Sequence, residues 1–303
     1  MIDFKPIDLK NKNLYDQYLL NTSTRGCEYS LANLCIWSNA QTAILHDHLV
    51  FLSCYNGRYS YPFPLGEGDK KPVLDAIIRD SKERGIPCRI FGVTKGEEEE
   101  INTLYPGMFQ FHYSRDSFDY VYHIDDLADL KGRKYHRKRN HLHRFYQACP
   151  EYRVEPITRN NLAAVKDMLS KWYKARLQDQ PDGDYSLEQQ AFDTAFSHYE
   201  DMGMEGLILL NGDDVLAFTM GSRLSSDTFD VHFEKARPDV EGAYPAINRE
   251  FANYLREKYP DIRFLDREED MGLEGLRKAK ESYNPHHLFE KCTAILTEES
   301  HDH

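Results

Sequence analysis

Residues 131–144 hold seven Lys or Arg, three His and no acid, in a chain whose formal net charge is −12. Positive charge concentrated in an acidic protein suits one task, the holding of a specific anion such as a phosphate. The stretch reads as a helix. Asp125 and Asp126 precede it, where negative charge favours a helix N-terminus. Leu127, Leu130, Leu142, Phe145 and Cys149 recur near helical spacing and form one apolar stripe. The midline of that stripe falls on Lys134 and Lys138, at helical steps of about 100° per residue. A solvated charge run fills only the outer face of a helix. These two lysines interrupt the inner one, so they are expected to face a cleft, a carboxylate or a bound anion. With Arg133 and Arg137 on its flank, the segment is expected to be an anion-binding helix and the joint between two halves of the molecule.

Composition bounds what surrounds it. The chain has 303 residues, 41% of them hydrophobic and 13% aromatic, enough for two domains or one large one. Its acidity argues against broad polyanion binding and leaves room for a local basic groove. The six cysteines are scattered, with no CxxC pair, as expected of reduced thiols in a cytoplasmic protein. The N-terminus has no signal-peptide pattern, and no apolar run approaches the roughly 20 residues a membrane span requires. His46 with His48, His286 with His287, and the terminal His301 and His303 have no further ligands in their local pattern, so no metal site is expected.

The elements that must position this helix follow in order. Helices are expected over 7–20 and 71–84, with Thr22, Ser23 and Thr24 capping another and Gly85 stopping the second. Strands are expected over 43–45, 49–54, 58–61, 89–93 and 120–124, with Asn56-Gly57 as a hairpin turn. A short acidic helix covers 97–104. After the basic helix come a strand at 152–157, a helix to about 175, a loop with Pro181 and Gly183, and a helix over 188–201. Three antiparallel strands at 206–210, 215–221 and 229–233 are followed by a helix at 245–258, a strand at 262–265, a helix at 273–282 and a last strand at 289–296. Both halves repeat one order of helices, meandering strands, helix and strand, so a duplicated α+β unit is expected.

That order in the second half resembles the GNAT acyltransferase fold, and Ala279-x-x-x-Tyr283 resembles the motif of its last helix. More specifically, Glu28-Tyr29-Ser30-Leu31-Ala32-Asn33-Leu34 and the segments 132–142, 243–251 and 267–280 resemble the DUF2156 family, akin to the C-terminal domain of phosphatidylglycerol lysyltransferase. The resemblance covers nearly the whole chain. It implies an α+β protein of two GNAT-like domains, each a mixed, mainly antiparallel sheet flanked by helices. The N-terminal domain is expected at 1–125, a basic linking helix at 126–149 and the C-terminal domain at 150–303. It also implies kinship with Fem-type transferases, which take an aminoacyl group from tRNA.

The resemblance assigns candidate sites. The donor would lie along Val231, His232 and Phe233 and against the loop Arg237, Gly242, Ala243 and Tyr244, where GNAT enzymes hold a pyrophosphate at a helix N-terminus. The usual spacing of that loop is not kept, and a plain strand-to-helix connection accounts for it equally. Acyl transfer to an amine needs a proton acceptor, for which Glu268 and Asp270 in the run Asp266-Arg267-Glu268-Glu269-Asp270 are candidates. Acids at a helix N-terminus are also favoured by the dipole alone. Pairing of this run with Lys134 or Lys138 would satisfy both groups. Tyr283 is either the acid that protonates the leaving group or a capping aromatic before Asn284-Pro285. The expected function is a soluble transferase moving an acyl group from acyl-coenzyme A or aminoacyl-tRNA to an amine or hydroxyl, on a small molecule or lipid headgroup. The alternative is a non-catalytic module that binds a nucleotide or an RNA end. No tightly bound cofactor is expected; a tRNA acceptor end is a candidate partner, and no integral membrane segment is expected.

Overall fold

Strands Glu205–Asn211, Asp214–Arg223 and Thr228–Ala236 are buried along nearly their whole length, because helices cover both faces of the sheet they form. Their side chains alternate between two cores. Leu207 and Leu209 join Phe229 and Val231 beneath the helix Ala243–Lys258. Ile208 and Leu210 join Phe218 and Phe233 beneath the helices Leu162–Asp179 and Ser186–Ser197. The computed structural model describes residues 1–21, 26–179 and 185–297. The expected cap at Thr22, Ser23 and Thr24, the loop residues Pro181 and Gly183, and His301 and His303 lie outside the described residues.

Two seven-stranded mixed sheets are present. The first runs Lys5–Pro6, Gln41–Leu45, His48–Tyr55, Arg58–Pro62, Arg89–Val93, Cys292–Leu296 and Phe109–Tyr113. The second runs His287–Phe289, Asp119–His123, Phe264–Asp266, Thr228–Ala236, Asp214–Arg223, Glu205–Asn211 and Arg153–Pro156. Pairing is antiparallel except between Arg58–Pro62 and Arg89–Val93 and between Thr228–Ala236 and Phe264–Asp266. These are the mixed, mainly antiparallel sheets with flanking helices expected of the fold.

The sheets do not follow the expected division at 125 and 150. Strand Asp119–His123, from the first half, pairs in the second sheet, and strand Cys292–Leu296, at the end of the chain, sits inside the first. Each half therefore lends a strand to the other. The expected single strand at 289–296 is two, His287–Phe289 and Cys292–Leu296, one in each sheet. Between them Lys291 lies at the crossing point.

The basic segment is not one continuous helix. A short helix, Ile124–Asp129, ends at Leu130 with φ 49°, and Gly132 follows at φ 88°. A 3-10 turn, Arg133–Tyr135, then leads into the helix His136–Ala148. The apolar residues of the expected stripe are all buried in one core. The break between them rotates what comes next, so that Tyr135 enters the core and Lys134 is turned to the surface, 3.0 Å from Asp126. The expectation that Lys134 faces the joint is thereby corrected.

Candidate active site at the joint

The two crossings of the chain bring Asp119 and Lys291 together between the sheets. The Lys291 ammonium is 2.8 and 2.9 Å from the two Asp119 oxygens and also bonds Glu28. All three are buried. Burial opposes the charge on Lys291, but Asp119, with Glu28 and Glu269, outweighs it and holds the ammonium protonated. Room for the Glu28 carboxylate depends on Gly92, at φ +70°: a Cβ there would stand 2.1 Å from Glu28 Oε1. Cys27 completes this side, its Sγ 3.3 Å from both Asp119 and Glu269, and burial pushes its thiol pKa well up, so it stays protonated.

The acid run at 266–270 divides into three environments. Asp270 is fully buried and held by Arg277 at 2.8 and 2.9 Å, Arg115 at 3.2 Å, the Tyr120 hydroxyl at 2.6 Å and the Gly272 amide. The bond to Arg277 leads the interactions that hold its pKa far below the carboxylate range. A carboxylate so clamped is a poor proton acceptor, which corrects its expected role: Asp270 fastens the loop to the helix Glu274–Glu281. Glu268, at φ 57°, lies 3.0 Å from His232 Nδ1 and accepts from Asn33 at 3.2 Å. Glu269 is a partly exposed residue whose carboxylate is bonded only to the Cys27 thiol among the described residues. Burial, with Asp119 and Glu268 adding and Lys291 opposing, pushes its pKa up to about 7. The sequence singled out Glu268 and Asp270 and passed over Glu269 between them. Lys280 holds the run in shape by donating to the carbonyls of Arg267, Glu268 and Glu269. None of these acids pairs with Lys134 or Lys138, so the expected contact across the joint is absent.

Lys138 instead lies over the Tyr283 ring, 3.6 Å from its centroid, and Arg267 lies 4.8 Å from the same centroid. Arg267 is paired at 2.9 Å with Glu234, which Asn248 also holds. Burial, with Arg267 nearby, brings the Lys138 pKa down to about 8. Tyr283 is buried, and burial keeps its phenol protonated through the physiological range. One turn away, Arg133, His136, Arg137 and Arg139 line an open hollow of about 550 Å³. Arg133 and Arg137 are exposed and have no ion-pair partner among the described residues.

The expected donor loop is built otherwise than its spacing suggested. Gly242 has φ +81°, and a Cβ on it would meet the His141 carbonyl at 2.3 Å, so the start of the helix Ala243–Lys258 abuts the basic helix. Arg237 is occupied by Asp239, and Glu241 takes Arg144 and His141. Ala243 is buried and Tyr244 partly exposed. An acid and a packed helix at this N-terminus leave little for a pyrophosphate. Val231, His232 and Phe233 are all buried, with His232 turned to the joint and Phe233 stacked on Phe192.

Comparison with known proteins follows this geometry. The family model described as the C-terminal region of phosphatidylglycerol lysyltransferase matches residues 21–295. A crystal structure of a conserved protein of unknown function from Bacteroides thetaiotaomicron is 37% identical, with TM-score 0.92 over 98% of this chain and 100% of that one. The C-terminal domain (DUF2156) of an Agrobacterium fabrum protein assigned as a lysylphosphatidylglycerol synthetase is 10% identical, with TM-score 0.65 over 91% and 89% of the two chains. FemX is 11% identical, with TM-score 0.62 over 98% of each chain. The architecture is that of tandem GNAT proteins. An uncharacterized Mycoplasmoides gallisepticum protein is 23% identical over 176 residues, and that match spans 58% of this chain and 55% of the relative's own length.

Proposed function

Since the chain belongs to the family of the phosphatidylglycerol lysyltransferase C-terminal region, whose fold points to a GNAT-like acyl or aminoacyl transferase, we propose that it takes an aminoacyl group from tRNA and passes it to an amine or hydroxyl acceptor bound at the joint. One observation carries the choice of donor. Arg137 and Arg139 of the open basic hollow flank Lys138 in the chain, and Lys138 stands over Tyr283 beside Arg267, two residues before Glu269. Phosphates of an RNA end suit the unpaired Arg133 and Arg137. The crowded, acid-bearing start of the helix Ala243–Lys258 favours RNA over the pyrophosphate of coenzyme A.

In the transfer step the acceptor nitrogen or oxygen attacks the ester carbonyl, and its proton passes to Glu269. The bond from the acyl carbon to the ribose oxygen breaks, and Tyr283 returns a proton to that oxygen. Glu269 suits the first role because no Lys, Arg or His donor claims its oxygens among the described residues. The acceptor is a small molecule or a lipid headgroup. Among the described residues no helix is long and apolar enough to cross a membrane, so a lipid would be met at its headgroup.

The test is incubation with radiolabelled aminoacyl-tRNAs and, separately, acyl-coenzyme A, each with amine and phosphatidylglycerol acceptors. Label should move from tRNA, and Glu269→Gln should abolish that movement. Transfer from acyl-coenzyme A alone would overturn the choice of donor. RNA binding without any transfer would favour a non-catalytic RNA-end module.

A further inference from the structure

Beside the Lys291 cluster lies a second polar group that the transfer step does not use. Asp230 and His232 stand two residues apart on the strand Thr228–Ala236, whose pairing with Asp214–Arg223 is irregular at His232, and there the two side chains meet. Asp266 pairs in register with Asp230 on the neighbouring parallel strand, and Glu268 follows two residues later. The His232 Nδ1, one Asp230 oxygen and one Glu268 oxygen all lie within 4.8 Å of one another. Nδ1 is 3.0 Å from Glu268 Oε1 and 3.4 Å from Asp230 Oδ2.

No Lys or Arg donor is bonded to these carboxylates among the described residues. Asp230 is fully buried, yet neither of its oxygens has a hydrogen-bond donor, and one oxygen of Asp266 is in the same state. Lys291 is engaged by Glu28 and Asp119. A buried carboxylate without a partner is costly. One Nδ1 proton cannot serve two carboxylates. On its other side the ring meets two hydroxyls, Ser222 Oγ at 2.8 Å and Ser30 Oγ at 3.3 Å from Nε2. If Nε2 carries the hydrogen and donates it to Ser222, Nδ1 is a lone pair facing two carboxylates, the arrangement in which a metal-bound histidine is oriented by a hydrogen bond on its far nitrogen.

The geometry points to a divalent metal site formed by His232 Nδ1, Asp230 and Glu268, with Ser222 and Ser30 orienting the imidazole. One nitrogen with carboxylate oxygens suits Zn²⁺ or Mn²⁺ better than Mg²⁺ or Ca²⁺, which take oxygen ligands. Ser30 and Asn33 come from the first half of the chain and the ligands from the second, so the ion ties the halves together at the joint.

The full chain carrying His286→Ala, His287→Ala, His301→Ala and His303→Ala removes the competing histidine clusters. After treatment with a chelator it is titrated calorimetrically with ZnCl₂ and with MnCl₂. One ion per chain is expected, with excess Mg²⁺ failing to displace it. Asp230→Asn and His232→Ala should each weaken binding at least about tenfold, and Ser222→Ala by about 10- to 100-fold. Glu268→Gln, at the more exposed ligand, gives the same reading if the buried variants do not fold. No stoichiometric binding in the background chain overturns the site, as does binding unchanged in Glu268→Gln. In either case Asp230 and Asp266 are satisfied by protons.

Discussion

The Lys138 ammonium sits 3.6 Å from the centre of the Tyr283 ring, on the inner face of the basic helix rather than its outer one. The contact replaces the acid partner expected for this lysine. An aromatic face attracts a cation yet does not neutralise it, and the attraction strengthens on desolvation. Lys138 is thus half-buried, with no carboxylate bonded to it among the described residues.

A pH dependence follows. Burial, with Arg267 nearby, holds the Lys138 pKa down at about 8, so its charge is complete well below pH 8 and is lost as pH rises through that value. RNA binding measured by fluorescence anisotropy should weaken between pH 7 and pH 9. Lys138→Arg should remove that change, since a guanidinium stays charged. An unaltered pH profile in Lys138→Met would remove Lys138 from the binding surface.

Tyr283 separates binding from chemistry. Tyr283→Phe keeps the ring beneath Lys138 and removes the phenol. RNA affinity should stay within about twofold, while the single-turnover transfer rate should fall by about 10²- to 10⁴-fold. Equal losses in both would make Tyr283 a packing residue only.

For the hollow, Arg133→Ala with Arg137→Ala should flatten the dependence of log K on log salt by about 1.5, close to two phosphate contacts. The fall in affinity should be similar for RNAs of different sequence, because phosphate contacts carry no base readout. Stability in urea should be unchanged, since both side chains are exposed and without ion-pair partners among the described residues.

Asp270 is a fastener, and its loss should register as stability. Asp270→Ala leaves Arg115 and Arg277 without their shared carboxylate. Breaking a fully buried pair costs about 3–5 kcal/mol. Both arginines are about one-third exposed, at 34% and 32%, so a smaller loss follows from solvent screening. Urea denaturation should show a loss of about 2–3 kcal/mol. Because its pKa is held below the ordinary carboxylate range, the contribution of Asp270 is complete above that range and disappears as pH falls toward its own lower value.

Lys291 should matter more. Lys291→Met strands Glu28 and Asp119 as buried acids, with an expected cost of about 3–5 kcal/mol. Adding Glu28→Gln and Asp119→Asn should recover part of it. Amide exchange should quicken in both sheets, because Lys291 and Asp119 stand where the exchanged strands cross. Faster exchange in one sheet alone would contradict that coupling.

The resemblance, the element order and the basic run were legible in the residues themselves. Hydrophobic alternation marks the strands at 205–236, Asn56-Gly57 marks a hairpin, and seven cations in fourteen residues mark a candidate anion site, because each signal is local. The site was only partly legible. Glu269 has the same local pattern as Asp270, and what distinguishes them is a pair of arginines, Arg277 from the following helix and Arg115 lying 155 residues away. The inward turn of Tyr135 and outward turn of Lys134 depend on positive φ at Leu130 and Gly132, which shift the helical phase by an amount that apolar spacing does not record. The sequence by itself determined which residue types could hold a phosphate or accept a proton. Tertiary structure alone decided where they are placed, by bringing Asp119 to Lys291 across 172 residues through the exchange of strands between sheets. Ion pairs and pKa values depend on distance and burial in space, and neither is written in the order of residues along the chain.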